Sequence, residues 1–198
     1  MEQPKFLTAT VESRIELSLE NQRNNILKVF ELYPELGDKG TPEKYEEYLK
    51  TVFPGTKIPN ILFHATKTDF NEFDPAYMSK GNLSFGDGFY FTDNMDTHKS
   101  FRLSNKVMPV VVNLQNIYFD SFEAKQRREL PAHNKYVNSH ETLQEVKNQH
   151  NDFIRRTYDG VVATYKGINE IVLFDPKNIH ILGSQKDIEN FESFVERG

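Results

Sequence analysis

Three side chains far apart in the sequence have the types and settings to do chemistry together: His64, Tyr90 and Glu170. His64 follows the apolar run Ile61-Leu62-Phe63 and precedes Ala65-Thr66. Tyr90 is the centre of Phe89-Tyr90-Phe91, fed by Gly86-Asp87-Gly88, and Glu170 opens the run Ile171-Val172-Leu173-Phe174. Apolar runs of this length, bounded by Gly, Thr and Asp, read as strands buried on both faces. A polar group at the end of such a strand is placed to face a cleft. Singly, each has an ordinary explanation: a satisfied core or surface histidine, an aromatic that fills a strand, a carboxylate on a solvated face. The specific signal is the order: His, then Gly-x-Gly-aromatic-Tyr-aromatic, then a late strand opening on Glu.

Other candidates carry less. His98, His133, His140, His150 and His180 show no H-E-x-x-H or other ligand pairing, so no metal is expected. Gly86 to Gly88 is not a dinucleotide fingerprint, because no third glycine and no helix follow at the required spacing. Arg127-Arg128 and Arg155-Arg156 read as solvated helix faces.

The elements that must position these groups come from a chain of 198 residues, 37% hydrophobic and 13% aromatic. That is enough for one core of ordinary size, so one domain with helical additions is expected. The net charge of -5 gives no bulk electrostatic reason to expect a nucleic-acid or anionic-membrane partner. With no cysteine, disulfides and thiolate metal sites are excluded, and the composition suits a cytoplasmic protein or one delivered into a target cell's cytosol. No apolar stretch approaches the roughly 18 to 20 residues of a membrane span, and Met1 to Thr10 lacks a signal peptide's apolar core. The expectation is a soluble chain, complete as written.

Glu12 to Leu32 is predicted as an amphipathic helix with Ile15, Leu19, Ile26, Leu27 and Phe30 near one face. A second helix starts at Thr41-Pro42, with Thr41 as cap, and places Tyr45, Tyr48, Leu49 and Val52 at i, i+3, i+4 and i+7. Strands are predicted at Ile58 to Ala65, Phe89 to Thr92, Lys106 to Leu114, Val161 to Tyr165, Glu170 to Phe174 and Ile179 to Leu182. Pro109 argues for a bulge or an edge in the third of these. Phe70, Phe73 and Tyr77 read as core anchors of the loop between Lys67 and Met78. Helices are expected from Asp93 or Asn94 to about Ser104, from Ser121 to Leu130, from Ser139 to Thr157 with Leu143, Val146, Phe153 and Ile154 inward, and from Ser184 to Arg197. Helices first, then strands interrupted by helices, indicate an α+β fold. Residues 1–56 form an N-terminal helical extension in this reading, 57–183 the core, and 184–198 a C-terminal helix packed on the same domain.

Leu62-Phe63-His64-Ala65-Thr66, Gly86 to Asp93, Asp159-Gly160-Val161-Val162 and Asn169 to Pro176 together resemble the core of ADP-ribosyltransferases of the His-Tyr-Glu type. That group contains diphtheria toxin and the poly(ADP-ribose) polymerases, and the pattern is most similar to small bacterial and phage-borne domains. The resemblance spans about Ile58 to Leu182. It implies a split, mixed or antiparallel sheet and NAD as substrate.

On this resemblance Glu170 matches the glutamate that binds the nicotinamide-ribose hydroxyl and stabilises the oxocarbenium-like state of bond cleavage. His64 matches the histidine that anchors the adenosine-side ribose. The Ala65 backbone, where the family usually has glycine, would hold the nicotinamide amide, with Thr66 nearby. Tyr90 matches the tyrosine stacked on the cationic nicotinamide ring, and Phe101 stands where the family places a second aromatic. Gly88 would let the backbone pass close to the ligand. Ile168 occupies the place where arginine-modifying families carry Glu or Gln, which lowers arginine as acceptor. The reading is a mono-ADP-ribosyltransferase acting on a macromolecular acceptor, a protein, as a bacterial or phage effector or toxin. Its rivals are an NAD glycohydrolase, a catalytically silent module that binds a partner, and an RNA 2'-phosphotransferase, which fits poorly because it expects basic groups and no late glutamate.

Overall fold

The computed structural model describes residues 11–79, 85–95, 106–121, 140–165 and 168–198. It is α+β, with helices α1 (Val11–Leu32), α2 (Pro42–Val52), α3 (His140–Thr157) and α4 (Gln185–Arg197) around one mixed sheet. The strands are β1 (Leu62–Thr66), β2 (Phe89–Thr92), β3 (Lys106–Val112), β4 (Ile117–Ser121), β5 (Gly160–Tyr165), β6 (Ile168–Leu173) and β7 (Ile179–Ile181). They lie in the order β4-β5-β6-β2-β1-β3-β7. Only the β4 and β5 pair is parallel.

The local reasons follow the sequence. Thr41 caps α2 by accepting the Lys44 N–H, and Ser184 caps α4 by accepting that of Asp187. α2 buries Tyr45, Tyr48 and Leu49 as its spacing predicts. These join Ile26 and Val29 of α1, Phe191 of α4, and Ile61, Phe63 and Val111 of the sheet in one core. Each large apolar side chain fully buried there is worth about 1.5 to 3 kcal/mol. At its centre the fully buried Asp187 carboxylate accepts hydrogen bonds from Tyr45 Oη (2.5 Å), Tyr48 Oη (3.1 Å), His180 Nε2 (2.7 Å) and the Gly183 N–H (2.8 Å). Two further cores flank the rest of the sheet: one around Leu62, Phe73, Phe91 and Val110, the other between α3 and Val161, Ala163 and Val172.

Several expectations change. Tyr77 is 85% exposed and anchors nothing, whereas Phe73 is buried. Leu27 and Phe153 are also exposed, because each sits one position from a residue that takes the buried direction, Ile26 and Ile154. Adjacent helical residues point about 100° apart, and at these two places the covered stripe takes Ile26 and Ile154 and leaves their neighbours in solvent. β3 is an internal strand, flanked by β1 and β7. Pro109 is tolerated because its nitrogen points to the last rung of the β7 ladder, where its carbonyl accepts the Leu182 N–H. β4 was not foreseen. The expected helix after Asn94 falls largely outside the described residues, as do residues 122–130 and the side chains of Ile15, Leu19, Leu143 and Val146.

Candidate active site

The sheet is split between β1 and β2. β1 follows β3 from Leu62 to Thr66, but its register with β2 narrows to one pair, Phe63 opposite Thr92. Two hydrogen-bonding directions explain what the split exposes. Pro109 turns its carbonyl to Leu182 on the β7 side, so Met108 and Val110 turn theirs to His64 and Leu62. Phe63 and Ala65 therefore direct their N–H and C=O groups the other way, toward β2. At Ala65 no registered partner stands on that side.

His64 is the reason. Its Nδ1 lies 2.9 Å from the Tyr90 carbonyl oxygen, which an unbroken antiparallel ladder would pair with Ala65. A carbonyl only accepts, so Nδ1 carries the proton and donates, which leaves Nε2 as an acceptor in the neutral ring. The imidazole thus replaces one rung and leaves the Ala65 amide facing the gap. Phe70, Phe73 and Phe91 hold the ring by edge and tilted contacts, with centroids 6.2, 5.1 and 5.5 Å away.

Tyr90 and Glu170 lie on the opposite face. Tyr90 pairs with Val172 and Thr92 with Glu170, so both functional side chains project to the same side of the β2 and β6 pair, two register steps apart and diagonal to each other. Glu170 is half-buried, and its Oε2 is closed off from solvent. Tyr90 is half-buried as well, and its phenol is spent on backbone: it donates to the Gly86 carbonyl at 2.7 Å and accepts the Phe85 N–H at 3.3 Å. Burial raises the Tyr90 phenol above its ordinary value, the Phe85 N–H opposes this, and the nearby Glu170 charge pushes it further up. The ring therefore stays neutral at physiological pH.

The loop that holds the phenol is itself held by α3. Gly86 has a φ of +73°, a conformation glycine adopts without strain, and a Cβ there would meet Asn151 of α3 at 3.2 Å. Arg155 of α3 donates from Nη2 to the Asp87 carbonyl and lies over the Phe174 ring, 5.2 Å from its centroid. Gly88 is required by packing in its own right, since a Cβ there would fall 2.5 Å from Val172 Cγ1. Beside Glu170, Asn169 links β2 to β5: its amide donates to Asp93 at 2.5 Å and its carbonyl oxygen accepts from Thr164 at 2.7 Å.

The structure thus brings Tyr90 and Glu170 side by side and joins His64 to them through the Tyr90 backbone, from the other face of the sheet. Ala65 fronts the gap. The Thr66 hydroxyl is engaged in a local turn, donating to the Thr68 carbonyl at 2.9 Å. Phe101 lies outside the described residues. Sequence reasoning missed Arg155, Asn169 and Thr92. For Arg155 the signal was an Arg-Arg pair on a helix ending beside Tyr158-Asp159-Gly160, which carries no mark of where that helix packs. Among the described residues, no group of three or more His, Asp or Glu side chains is placed to hold a metal ion.

Comparison with known families gives one finding. A family model described as ADP-ribosyltransferase in polyvalent proteins matches residues 57–192. No curated protein and no solved structure matches the chain.

Proposed function

The chain belongs to the ADP-ribosyltransferases of polyvalent proteins, and from that premise we propose that it transfers ADP-ribose from NAD to a protein acceptor with release of nicotinamide. The observation that carries this reading is the meeting of Tyr90 and Glu170 on one sheet face, at the place where β1 and β2 part.

In this mechanism the Ala65 N–H and C=O bind the nicotinamide amide, replacing the rung that His64 removed. The Tyr90 ring, fixed by Gly86 and Phe85, stacks on the pyridinium while it is still cationic, worth about 0.5 to 2 kcal/mol. His64 is the residue that anchors a ribose hydroxyl in this reading. As the bond between nicotinamide and ribose C1 breaks, its electron pair leaves with nicotinamide, and positive charge grows on C1 and the ring oxygen. The Glu170 carboxylate, in a site partly closed to water, stabilises that charge and holds the adjacent ribose hydroxyl. An acceptor side chain then forms the new bond to C1 and loses its proton. We place this action in the cytosol, as that of a bacterial or phage effector. The absence of cysteine supports the compartment, and the resemblance to small phage-borne domains supports the role.

Incubation with NAD labelled in the adenylate part and a cell lysate tests the proposal. A labelled protein band with the wild type and none with Glu170→Gln is the expected result. Free nicotinamide without a band would replace transfer by hydrolysis, and neither product would mean a silent binding module.

A further inference from the structure

A second concave region lies on the far side of β3, along the outer edge of β7. Two cavities of about 380 and 390 Å³ adjoin there and share Lys177, Ile179, His180 and Lys186 as common wall. The first also receives Arg197 and Asn190 from α4 and Thr51 from α2. In a chain of net charge -5, three cationic side chains from two separate elements converge on one hollow whose described lining contains no carboxylate.

The charges are sorted rather than scattered. On α4, Lys186, Asn190 and Arg197 recur at i, i+4 and i+11, which is one helical face. Two acids of the same helix are used elsewhere: Glu189 accepts from Gln185 at 2.8 Å, and Glu192 pairs with Lys39 at 2.7 Å. Asp187, the carboxylate beneath the floor, is already saturated by four donors. Among the described residues neither Lys177 nor Lys186 forms an ion pair. The Lys177 backbone is fixed where the chain enters β7, because its N–H is held by Asp175 at 2.9 Å. His180, held from below by Asp187, presents a mostly buried imidazole between the two hollows.

Aromatic side chains also line both hollows. Phe53 and Phe194 close one hollow, and Phe73 closes the other, where Glu72 also stands at the rim. Cations on the shared wall, with an aromatic side chain in each hollow, suit an anion that carries a planar group. We propose that the groove along β7 binds a phosphate-bearing small molecule of mononucleotide size, with the phosphate at Lys177, Lys186 and Arg197. This site is separate from the split between β1 and β2 and does not depend on the reading of that split.

Calorimetric titration of the full chain with uridine 5'-monophosphate, inorganic phosphate and uridine tests it. The expected result is saturable binding of the nucleotide, weakened at least tenfold in the doubly reversed variant Lys177→Glu, Lys186→Glu and by raised salt, and unchanged in Tyr90→Ala. Both lysines are exposed, so the reversed variant should melt with the wild type and retain its reaction with NAD. Phosphate binding as tightly as the nucleotide would identify free phosphate as the ligand. Uridine binding as tightly as the nucleotide, no saturable binding of nucleotide or phosphate at millimolar concentration, or binding indifferent to the lysine reversal would overturn the proposal.

Discussion

Two regions of this molecule set tyrosine hydroxyls near a carboxylate, and they use the combination in opposite ways. Under α2 and α4, Tyr45 and Tyr48 donate directly to Asp187, which also takes His180 and the Gly183 N–H, and the carboxylate is fully buried. In the split half, Tyr90 gives its proton to the Gly86 backbone, so its phenol does not consume Glu170, although the two are neighbours on one face. The first arrangement fills the acceptor sites of one carboxyl group and fixes three elements to one another. The second sets an aromatic ring and a carboxylate on one face beside a gap in the sheet. Saturation marks the structural region, and a phenol that bonds to backbone beside a carboxylate marks the chemical one.

The largest expected effect breaks the chemical side. Glu170→Gln preserves shape and removes charge, so nicotinamide release should fall by about 10³-fold, the scale of losing a preorganised electrostatic stabiliser. Its melting temperature should stay within a few degrees of wild type. Asp187→Ala reverses that pattern. It strands two buried phenols and an imidazole, which should cost about 3 to 5 kcal/mol in urea unfolding, while the KM for NAD of the folded fraction is unchanged.

Alkaline titration sharpens the comparison. Tyr45, Tyr48 and Tyr90 are all raised above the ordinary 10.0, chiefly by burial, with Asp187 adding to the first two and Glu170 to the third. A raised folded value means that the native state holds the proton more tightly. The resulting stability is fully present below about pH 10 and is lost as pH climbs from there toward the folded values. Circular dichroism against pH should therefore show unfolding beginning above that point. Tyr45→Phe with Tyr48→Phe should flatten the loss more than Tyr90→Phe. The smallest effect concerns the loop around Tyr90: Arg155→Ala should raise the KM for NAD about tenfold with kcat unchanged, since one hydrogen bond from a charged group is worth about 1.5 kcal/mol. Arg155→Lys should restore part of the loss, and a change in kcat alone would exclude this positioning role.

Much of this contrast was legible before any fold was known. β1, β2 and β6 each contain a short apolar run, and α2 states its buried face by spacing, so Tyr45, Tyr48, Tyr90 and Glu170 could all be placed on elements. β4 could not. In Ile117-Tyr118-Phe119-Asp120-Ser121 the polarity runs against the burial, with Phe119 69% exposed and Asp120 only 6% exposed, so no periodic signal survives. The use of His64 was equally hidden, because a side chain that replaces a backbone rung leaves no mark in composition. Nor does α4 announce that its third residue, Asp187, will be buried beneath two tyrosines from a helix more than a hundred residues earlier.

The central claim is that the opening between β1 and β2 receives NAD, and the backbone amide of Ala65 reports on it most directly. Titration of ¹⁵N-labelled protein with NAD should give a saturable shift of the Ala65 resonance together with those of Tyr90 and Glu170, and Glu170→Gln should retain it. Saturation of the protein with NAD while these three resonances stay unmoved would contradict the account.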